Sequence, residues 1–294
     1  MKRILLRVEC QMKVFVSVLC MMFVAVAGYG DVLHVAVSIP PQKYFVEKIG
    51  QDRIHVTVMV PPGANPHTYE PKPQQVVALS NVSLYFAIGF PFEKVWLNRF
   101  MFTYPQLRVV HTDEGIEKIP MASHGEHHHD EGSLDPHIWL SPGLVMVQAT
   151  TILNALKQID PQHGDFYTEN YNRFMSELDG LDRDLKRLFS EQGYARKFLV
   201  FHPSWGYFAH DYGLEQIAVE VEGKEPKPSD LMRVIETAKQ YGIKAIFVQP
   251  QFSRKSAKAI AEAIQGDVIA ADPLAENWKE NLERAARTIH DSAR

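Results

Sequence analysis

The sequence predicts an α/β protein of two lobes, each a mostly parallel sheet flanked by helices, joined by one long rigid helix. In both halves of the 294-residue chain, short segments rich in β-branched residues alternate with amphipathic segments, a pattern typical of parallel sheets. Between the halves, residues 161–192 contain, after Pro161 at the first helical position, no helix breaker except two glycines and carry apolar residues three to five positions apart. This spacing predicts a continuous amphipathic helix, about 45 Å long, that connects the lobes.

Residues 1–27 have the features of an export signal. Basic residues precede an apolar run, Val14–Ala27, which ends in the small-x-small triplet of a secretory cleavage site. The run is shorter than the roughly 20 residues of a membrane-spanning helix. Neither Cys10 nor Cys20 follows a small residue, as a lipid-attachment cysteine would. We therefore expect a soluble periplasmic protein, cleaved near Ala27, whether translation starts at Met1 or at Met12.

Charge and length narrow the class of protein further. The formal charge of the chain is −4, and loss of the basic leader makes it more negative. No basic stripe remains for nucleic acid or for an anionic membrane surface. Roughly 267 residues suffice for two medium domains. We assign residues 28–160 to an N-terminal lobe, 161–192 to the linking helix and 193–294 to a C-terminal lobe.

The first half of the chain predicts four strands and four helices in alternation. Val32–Ser38 alternates in polarity and is rich in β-branched residues, and Pro40-Pro41 opens the helix that Gly50 closes. Asp160-Pro161 reads as a helix N-cap followed by proline at the first helical position. The predicted strands are 32–38, 54–60, 83–88 and 108–111, and the predicted helices are 40–50, 73–80, 92–102 and 142–159.

The second half repeats the same alternation after the long helix. Its strands are short and apolar, and each is followed by a segment with helical periodicity. The predicted strands are 197–201, 214–219, 245–248 and 267–270, and the predicted helices are 204–212, 229–241, 254–265 and 276–290.

Residues 121–142 hold five of the thirteen histidines, in two arrangements. A polar run beside acidic residues can gather divalent metal or can be a solvated loop with no such role. His137 differs, because Asp135-Pro136 and the apolar Ile138-Trp139-Leu140 flank it. Its ring is expected to be fixed and partly dry, although a lone histidine of this kind is more often a core residue than a ligand. The polar run contains His124, His127, His128 and His129.

Four candidate ligands share a position on loops between regular elements: His67, His137, His202 and Asp272. In open α/β sheets, ligands bind beyond the carboxyl ends of the strands, so these loops can meet between facing lobes. Three imidazoles and one carboxylate make a four-coordinate site suited to Zn²⁺. Imidazole also suits other transition metals, whereas calcium and magnesium are disfavoured.

Six motifs occur in one order from about residue 32 to the C-terminus: GANPHTYEPKP, DPHIWLSP, FHPSWGYFAHDYGL, GKEPKPSDL, FVQPQFS and ADPLAENW. Together they resemble the metal-binding proteins of zinc and manganese ABC importers, the ZnuA/TroA type of cluster A-I solute-binding proteins. The resemblance implies two lobes joined by a rigid helix, with the metal between them. It also implies a non-enzymatic monomer that passes metal to a membrane permease and its ATPase.

The resemblance also implies a ligand set. His67, His137 and His202 match the three histidine ligands of the family, and Asp272 matches its acidic fourth ligand. A histidine at 202 resembles zinc-type members, whereas manganese-type members tend to carry glutamate there. The histidine-rich run is similar to a metal-collecting loop of zinc-type members, although it is short here. The fourth position remains open to water or to another carboxylate: Glu70, Glu220, Glu222 or Glu225.

The main functional hypothesis is high-affinity capture of Zn²⁺ in the periplasm, with a manganese carrier of the same family as the alternative. A zinc hydrolase is disfavoured, because the sequence has no H-E-x-x-H helix and no motif that places a general base. A surface adhesin would need an anchor, and no lipid-attachment cysteine is present. Trp139, Trp205 and Tyr207 are expected to pack around the site. Since ligand histidines must be neutral, affinity should fall as the pH drops through about 6.5.

Overall fold

The computed structural model describes residues 32–121, 134–191, 193, 195–220, 226–252 and 254–293. Within these ranges it contains two four-stranded parallel sheets and a long helix, which confirms the predicted fold class. The export signal, the histidine-rich run at 124–129, and Glu222 and Glu225 lie outside the described residues. Among the helices that are described, none is both long and apolar enough to cross a membrane.

The first sheet has the strand order β2-β1-β3-β4, and every neighbouring pair is parallel. Proline begins each helix of this lobe, which suits a first turn whose N–H groups have no intrahelical acceptor. The strands are β1 (Leu33–Val37), β2 (Ile54–Val58), β3 (Leu84–Ala87) and β4 (Arg108–His111), and the helices are α1 (Pro40–Gly50), α2 (Pro73–Ala78), α3 (Pro91–Thr103) and α4 (Pro142–Ile159).

The linking helix α5 (Gly164–Ser190) follows a 3₁₀ turn at Pro161–His163. Its 27 residues span about 40 Å. Asp160 is the N-cap residue of this 3₁₀ turn and Pro161 is its first residue, but the side chain of Asp160 makes no capping hydrogen bond. Its carboxylate instead accepts hydrogen bonds from His163 Nδ1 at 2.8 Å and from the Tyr167 hydroxyl at 2.5 Å. The 3₁₀ turn delays the start of the α-helix to Gly164. The backbone carbonyl of Asp160 accepts the N–H of His163, while its carboxylate binds the side chains of His163 and Tyr167.

The second sheet repeats the topology of the first, with the order β6-β5-β7-β8 and parallel neighbours throughout. In both sheets the chain places its first strand in the interior and its second strand at an edge, so the two lobes have equivalent layouts. The strands are β5 (Lys197–Val200), β6 (Glu215–Ala218), β7 (Ala245–Val248) and β8 (Asp267–Ala270), and the helices are α6 (Gly206–Asp211), α7 (Pro228–Gln240), α8 (Arg254–Ile264) and α9 (Trp278–Ser292).

One cluster of buried apolar side chains includes residues of both sheets. It joins Val37 of the first sheet and Phe247 of the second to Leu178 of α5 and to Trp278 of α9. Helix α5 packs against α1, α4 and α9, while the outer face of each sheet has an apolar cluster of its own. Because fully burying one large apolar side chain contributes about 1.5–3 kcal/mol, separating the lobes would be costly.

Candidate metal centre

The structure brings together the three predicted histidine ligands. His67 lies in the loop after β2, His137 precedes the 3₁₀ turn at Ile138–Leu140, and His202 lies two residues after β5. The distance from His137 Nε2 is 3.3 Å to His67 Nε2 and 3.4 Å to His202 Nε2. In the described part of the chain, no other group of three or more histidines and carboxylates converges in this way.

Carboxylates fix the orientation of the two most buried rings. His137 Nδ1 lies 2.6 Å from Asp135 Oδ1, and His202 Nδ1 lies 2.6 Å from Glu220 Oε2. When ionised, each carboxylate only accepts hydrogen bonds, and in that state each Nδ1 carries the proton and each Nε2 presents a lone pair. The close Nε2 atoms of His137 and His202 therefore repel each other unless a cation lies between them.

The spacing of the nitrogen atoms fits one tetrahedral metal ion. Zinc bound to imidazole at 2.0–2.1 Å in tetrahedral geometry separates two ligand nitrogens by about 3.3 Å. The two measured Nε2 separations, 3.3 and 3.4 Å, agree with this value. Both separations from His137 Nε2 thus fit a shared metal ion, and the candidate ligand atoms of all three rings lie within 4.8 Å of one another.

Burial keeps the imidazoles of His67 and His137 neutral. It lowers the pKa of His67 to about 2, with a further contribution from His137 and His202, and it lowers the pKa of His137 well below the usual value. Both rings are therefore in the neutral form at neutral pH, and each offers the lone pair of one ring nitrogen to a metal ion. The same burial raises the pKa of Asp135 to about 7, partly offset by the backbone N–H of His137.

Gln249, directly after β7, fixes the backbone at His202. Its Nε2 donates to the carbonyl oxygen of His202 at 2.8 Å and to Ser204 Oγ at 3.0 Å, and its Oε1 accepts from the N–H of His202 at 3.3 Å. Phe252 stacks on the His202 ring with the ring centroids 5.0 Å apart. Sequence reasoning did not single out either residue, although both lie in the FVQPQFS motif.

Aromatic side chains pack around the rest of the cluster. The ring of Phe90 meets the ring of His67 edge-on, with the ring centroids 5.2 Å apart. The ring centroids of Trp139 and His137 are 5.1 Å apart. Trp139 is fully buried and donates from Nε1 to the carbonyl oxygen of Pro273 at 2.7 Å. Tyr207 donates its hydroxyl to the carbonyl oxygen of Asp135 at 2.9 Å. The expected packing roles of Trp139 and Tyr207, and of the equally buried Trp205, agree with this arrangement.

Asp272 lies after β8 as expected, but its carboxylate is not part of the converging group. Its Oδ1 accepts from the backbone N–H of Leu274 at 2.9 Å and from Gln251 Nε2 at 3.3 Å. This is the local turn that aspartate favours before proline. Of the other candidates, Glu70 is exposed and Glu220 holds His202. Among the described residues, therefore, no carboxylate completes the three-histidine set.

The space beside the histidines is small. The cavity measures about 20 Å³ and is also lined by Trp139, Phe252 and Leu274. A volume of this size holds about one water molecule. The cavity therefore has room for one water beside the three histidines and is too small for a sugar or an amino acid.

Two α/β lobes with a common core, a long linking helix and a three-histidine cluster define a metal-binding solute-binding protein. Residues 35–292 match the family model ZnuA, described as "Zinc-uptake complex component A periplasmic". The chain belongs to this family of metal-binding substrate-binding proteins of ABC transporters. Because the family consists of solute-binding transport proteins, the hydrolase alternative is excluded.

Relatives in the family differ in the metal that their names specify. The chain is 27% identical to "High-affinity zinc uptake system protein ZnuA" of Bacillus subtilis, over 85% of this chain and 84% of the relative. It is 26% identical to "Manganese-binding lipoprotein MntA" of Halalkalibacterium halodurans, over 75% of this chain and 72% of that relative. A zinc-bound crystal structure of a ZnuA deletion mutant superposes with a TM-score of 0.83 at 44% identity, covering 90% of this chain and 98% of that one.

Proposed function

We propose that this protein captures Zn²⁺ in the periplasm, between its two lobes, and delivers it to the permease and ATPase of an ABC importer. His67, His137 and His202 are the protein ligands, and the observation that carries the proposal is the tetrahedral spacing of their Nε2 atoms. In this proposal residues 1–27 are removed on export, and residues 28–160 and 193–294 form the lobes of a monomer around the linker at 161–192.

The ligand chemistry favours zinc over manganese. Neutral imidazole suits zinc, whereas carboxylate, carbonyl and water oxygens suit manganese. The converging group contains three imidazoles and no carboxylate. The zinc-bound structural relative at 44% identity supports the same assignment. A manganese carrier remains the alternative, supported by the MntA relative.

We propose that water occupies the fourth coordination position in the conformation described. The cavity beside the histidines has room for one water. Asp272, the acidic ligand that the sequence suggests, already accepts the N–H of Leu274 through Oδ1, so turning that oxygen to the metal would break this hydrogen bond. Rotation of Asp272 towards the metal would add an oxygen ligand, and this is the change that a manganese site would require.

Competition between metals tests the proposal directly. The protein, stripped with a chelator, is offered Zn²⁺ and Mn²⁺ together, and bound metal is counted by elemental analysis. We expect one zinc per chain, lost in His202→Ala and retained in His210→Ala, which removes an exposed histidine of the same lobe. Manganese retention would support the alternative carrier.

A second variant separates the cleft from the histidine-rich run, which we propose acts as a secondary collecting segment. Replacing His124, His127, His128 and His129 with glutamine should leave the tightly held zinc in place. If zinc binding survives His202→Ala but not this fourfold replacement, the run would be the principal site and the cleft assignment would fail.

A further inference from the structure

His34 and His55 form a pair outside the cleft. They are parallel-register partners on β1 and β2, with their ring centroids 5.2 Å apart and the rings tilted by 54°. Both residues are exposed, and β2 is an edge strand. The pair lies near the start of both strands, whereas the cleft loops follow strand ends. One metal ion therefore cannot contact both the pair and the cleft histidines.

The geometry of this pair matches that of the cleft ligands. The three ring pairs of the cleft have centroid separations between 4.9 and 5.3 Å and tilts between 51° and 73°. The His34–His55 values fall within both ranges. Two imidazoles at this separation can turn their ring nitrogens towards a common ion by rotation about the side-chain bonds alone.

We propose that His34 and His55 form a second, exchangeable site for a divalent transition metal, with Cu²⁺ the favoured ion. Imidazole binds first-row metals with an affinity that peaks at copper. The hydrogen-bonded strands already hold the two backbones side by side, about 4.8 Å apart, so binding orders only two side chains. Water fills the remaining coordination positions, which makes the site weaker than the buried cleft.

The position and the ligands of this second site differ from those of the cleft, so its test does not depend on zinc transport. Histidine-labelled protein is prepared with zinc in the cleft and with the four histidines of the run at 124–129 replaced by glutamine. Cu²⁺ is then added in steps up to two equivalents. Paramagnetic broadening of the imidazole NMR signals reports which rings bind, and nitrogen hyperfine splitting in the electron paramagnetic resonance spectrum reports how many. Copper that displaces the cleft zinc is recognised by loss of the His137 signals.

We expect the His34 and His55 signals to broaden together, before those of other exposed histidines, with two equivalent nitrogens on the copper. His34→Gln and His55→Gln should each weaken copper binding by at least about tenfold, since one imidazole remains. The matched control is His111→Gln, an exposed histidine on β4 of the same sheet, and it should have no effect. Equal broadening of His34, His55, His111 and His210 would overturn the proposal. It would also be overturned if His34→Gln or His55→Gln bound copper as tightly as the parent protein.

Discussion

In the proposed zinc site, the carboxylate of Asp135 connects the protonation of the cleft to its metal affinity. Its Oδ1 accepts from both the backbone N–H and Nδ1 of His137, at 2.9 and 2.6 Å, and its Oδ2 is buried with no hydrogen-bond partner in the described structure. Burial raises the pKa of Asp135 to about 7 in the metal-free protein. A bound dication favours the ionised carboxylate, so zinc binding below this pH must release the proton.

We therefore expect zinc affinity to fall by up to about tenfold per pH unit as the pH drops below 7. The sequence suggested protonation of ligand histidines as the cause. Burial holds the pKa of His67 at about 2 and that of His137 well below its usual value, so these two rings stay neutral over this range. We expect the titration of Asp135 to contribute to the fall. Chelator competition from pH 5.5 to 8 measures the slope.

Asp135→Asn should flatten this slope and weaken zinc binding at pH 8 by about 10- to 100-fold, because the ring of His137 loses its charged partner. The matched control is Asp160→Asn, which changes a carboxylate bonded to another histidine, His163, at 2.8 Å and away from the cleft. The control should keep both the slope and the affinity of the parent. A steep slope that persists in Asp135→Asn would exclude Asp135 as the titrating group.

At the scale of single elements, hydrophobic periodicity was sufficient to predict most of the fold. The bounds of β4, α4, β7 and β8 agree with the predicted ones, because each of these segments is closed by strong local signals. The start of α5 was predicted less well, since the side chains of His163 and Tyr167 compete for the Asp160 carboxylate. Local patterns do not show which of several nearby donors a carboxylate will bind.

In the candidate site too, sequence patterns predict the positions of the residues better than their hydrogen-bond partners. Loop position and motif order identified His67, His137 and His202, which the structure brings together. The role of Glu220 as the Nδ1 partner of His202 depends on two strands meeting in a sheet, and sequence spacing cannot reveal that. Asp272 was expected to face the metal, but the local turn at Leu274 uses its carboxylate. Tertiary contacts therefore decide the hydrogen-bond partners that orient the ligands.

The first turn of α6 tests whether the C-terminal lobe positions a ligand of the N-terminal lobe. A Cβ atom added at Gly206 would lie 2.6 Å from Asp135 Oδ2 and 3.2 Å from Gln216 Nε2. Gly206→Ala should push the Asp135 carboxylate away from His137 and weaken zinc binding by about tenfold, while the fold is retained. Chelator competition gives the affinity, and circular dichroism verifies the fold.

Gly180→Ala is the control for this substitution. Gly180 lies within α5, with no atom within 4 Å of an added Cβ. Alanine there should stabilise the protein by about 0.5–1 kcal/mol without a change in zinc affinity. If Gly206→Ala lowered the melting temperature but bound zinc as tightly as the parent, the first turn of α6 would contribute to folding alone.

At the scale of the whole molecule, the core that both lobes share restricts their motion. Trp278 of α9 donates from Nε1 to the carbonyl oxygen of Trp139 at 2.7 Å, and Trp139 in turn donates to Pro273. Helix α5 packs against helices on both sides of the cleft. A wide hinge motion would break these buried hydrogen bonds and expose both indoles, whereas a small tilt of one lobe keeps them.

Zinc binding should accordingly leave the shape of the protein nearly unchanged. We expect the small-angle scattering profiles of the zinc-bound and metal-free protein to superpose, with a radius of gyration of about 18 Å in each state. His202→Ala, measured with zinc present, controls for nonspecific effects of the metal and should match the metal-free profile. A compaction of several per cent on adding zinc, absent in His202→Ala, would show that the lobes close like a hinge. Release to the permease would then have to reverse that closure, whereas a fixed shape requires the permease to disturb the ligands themselves.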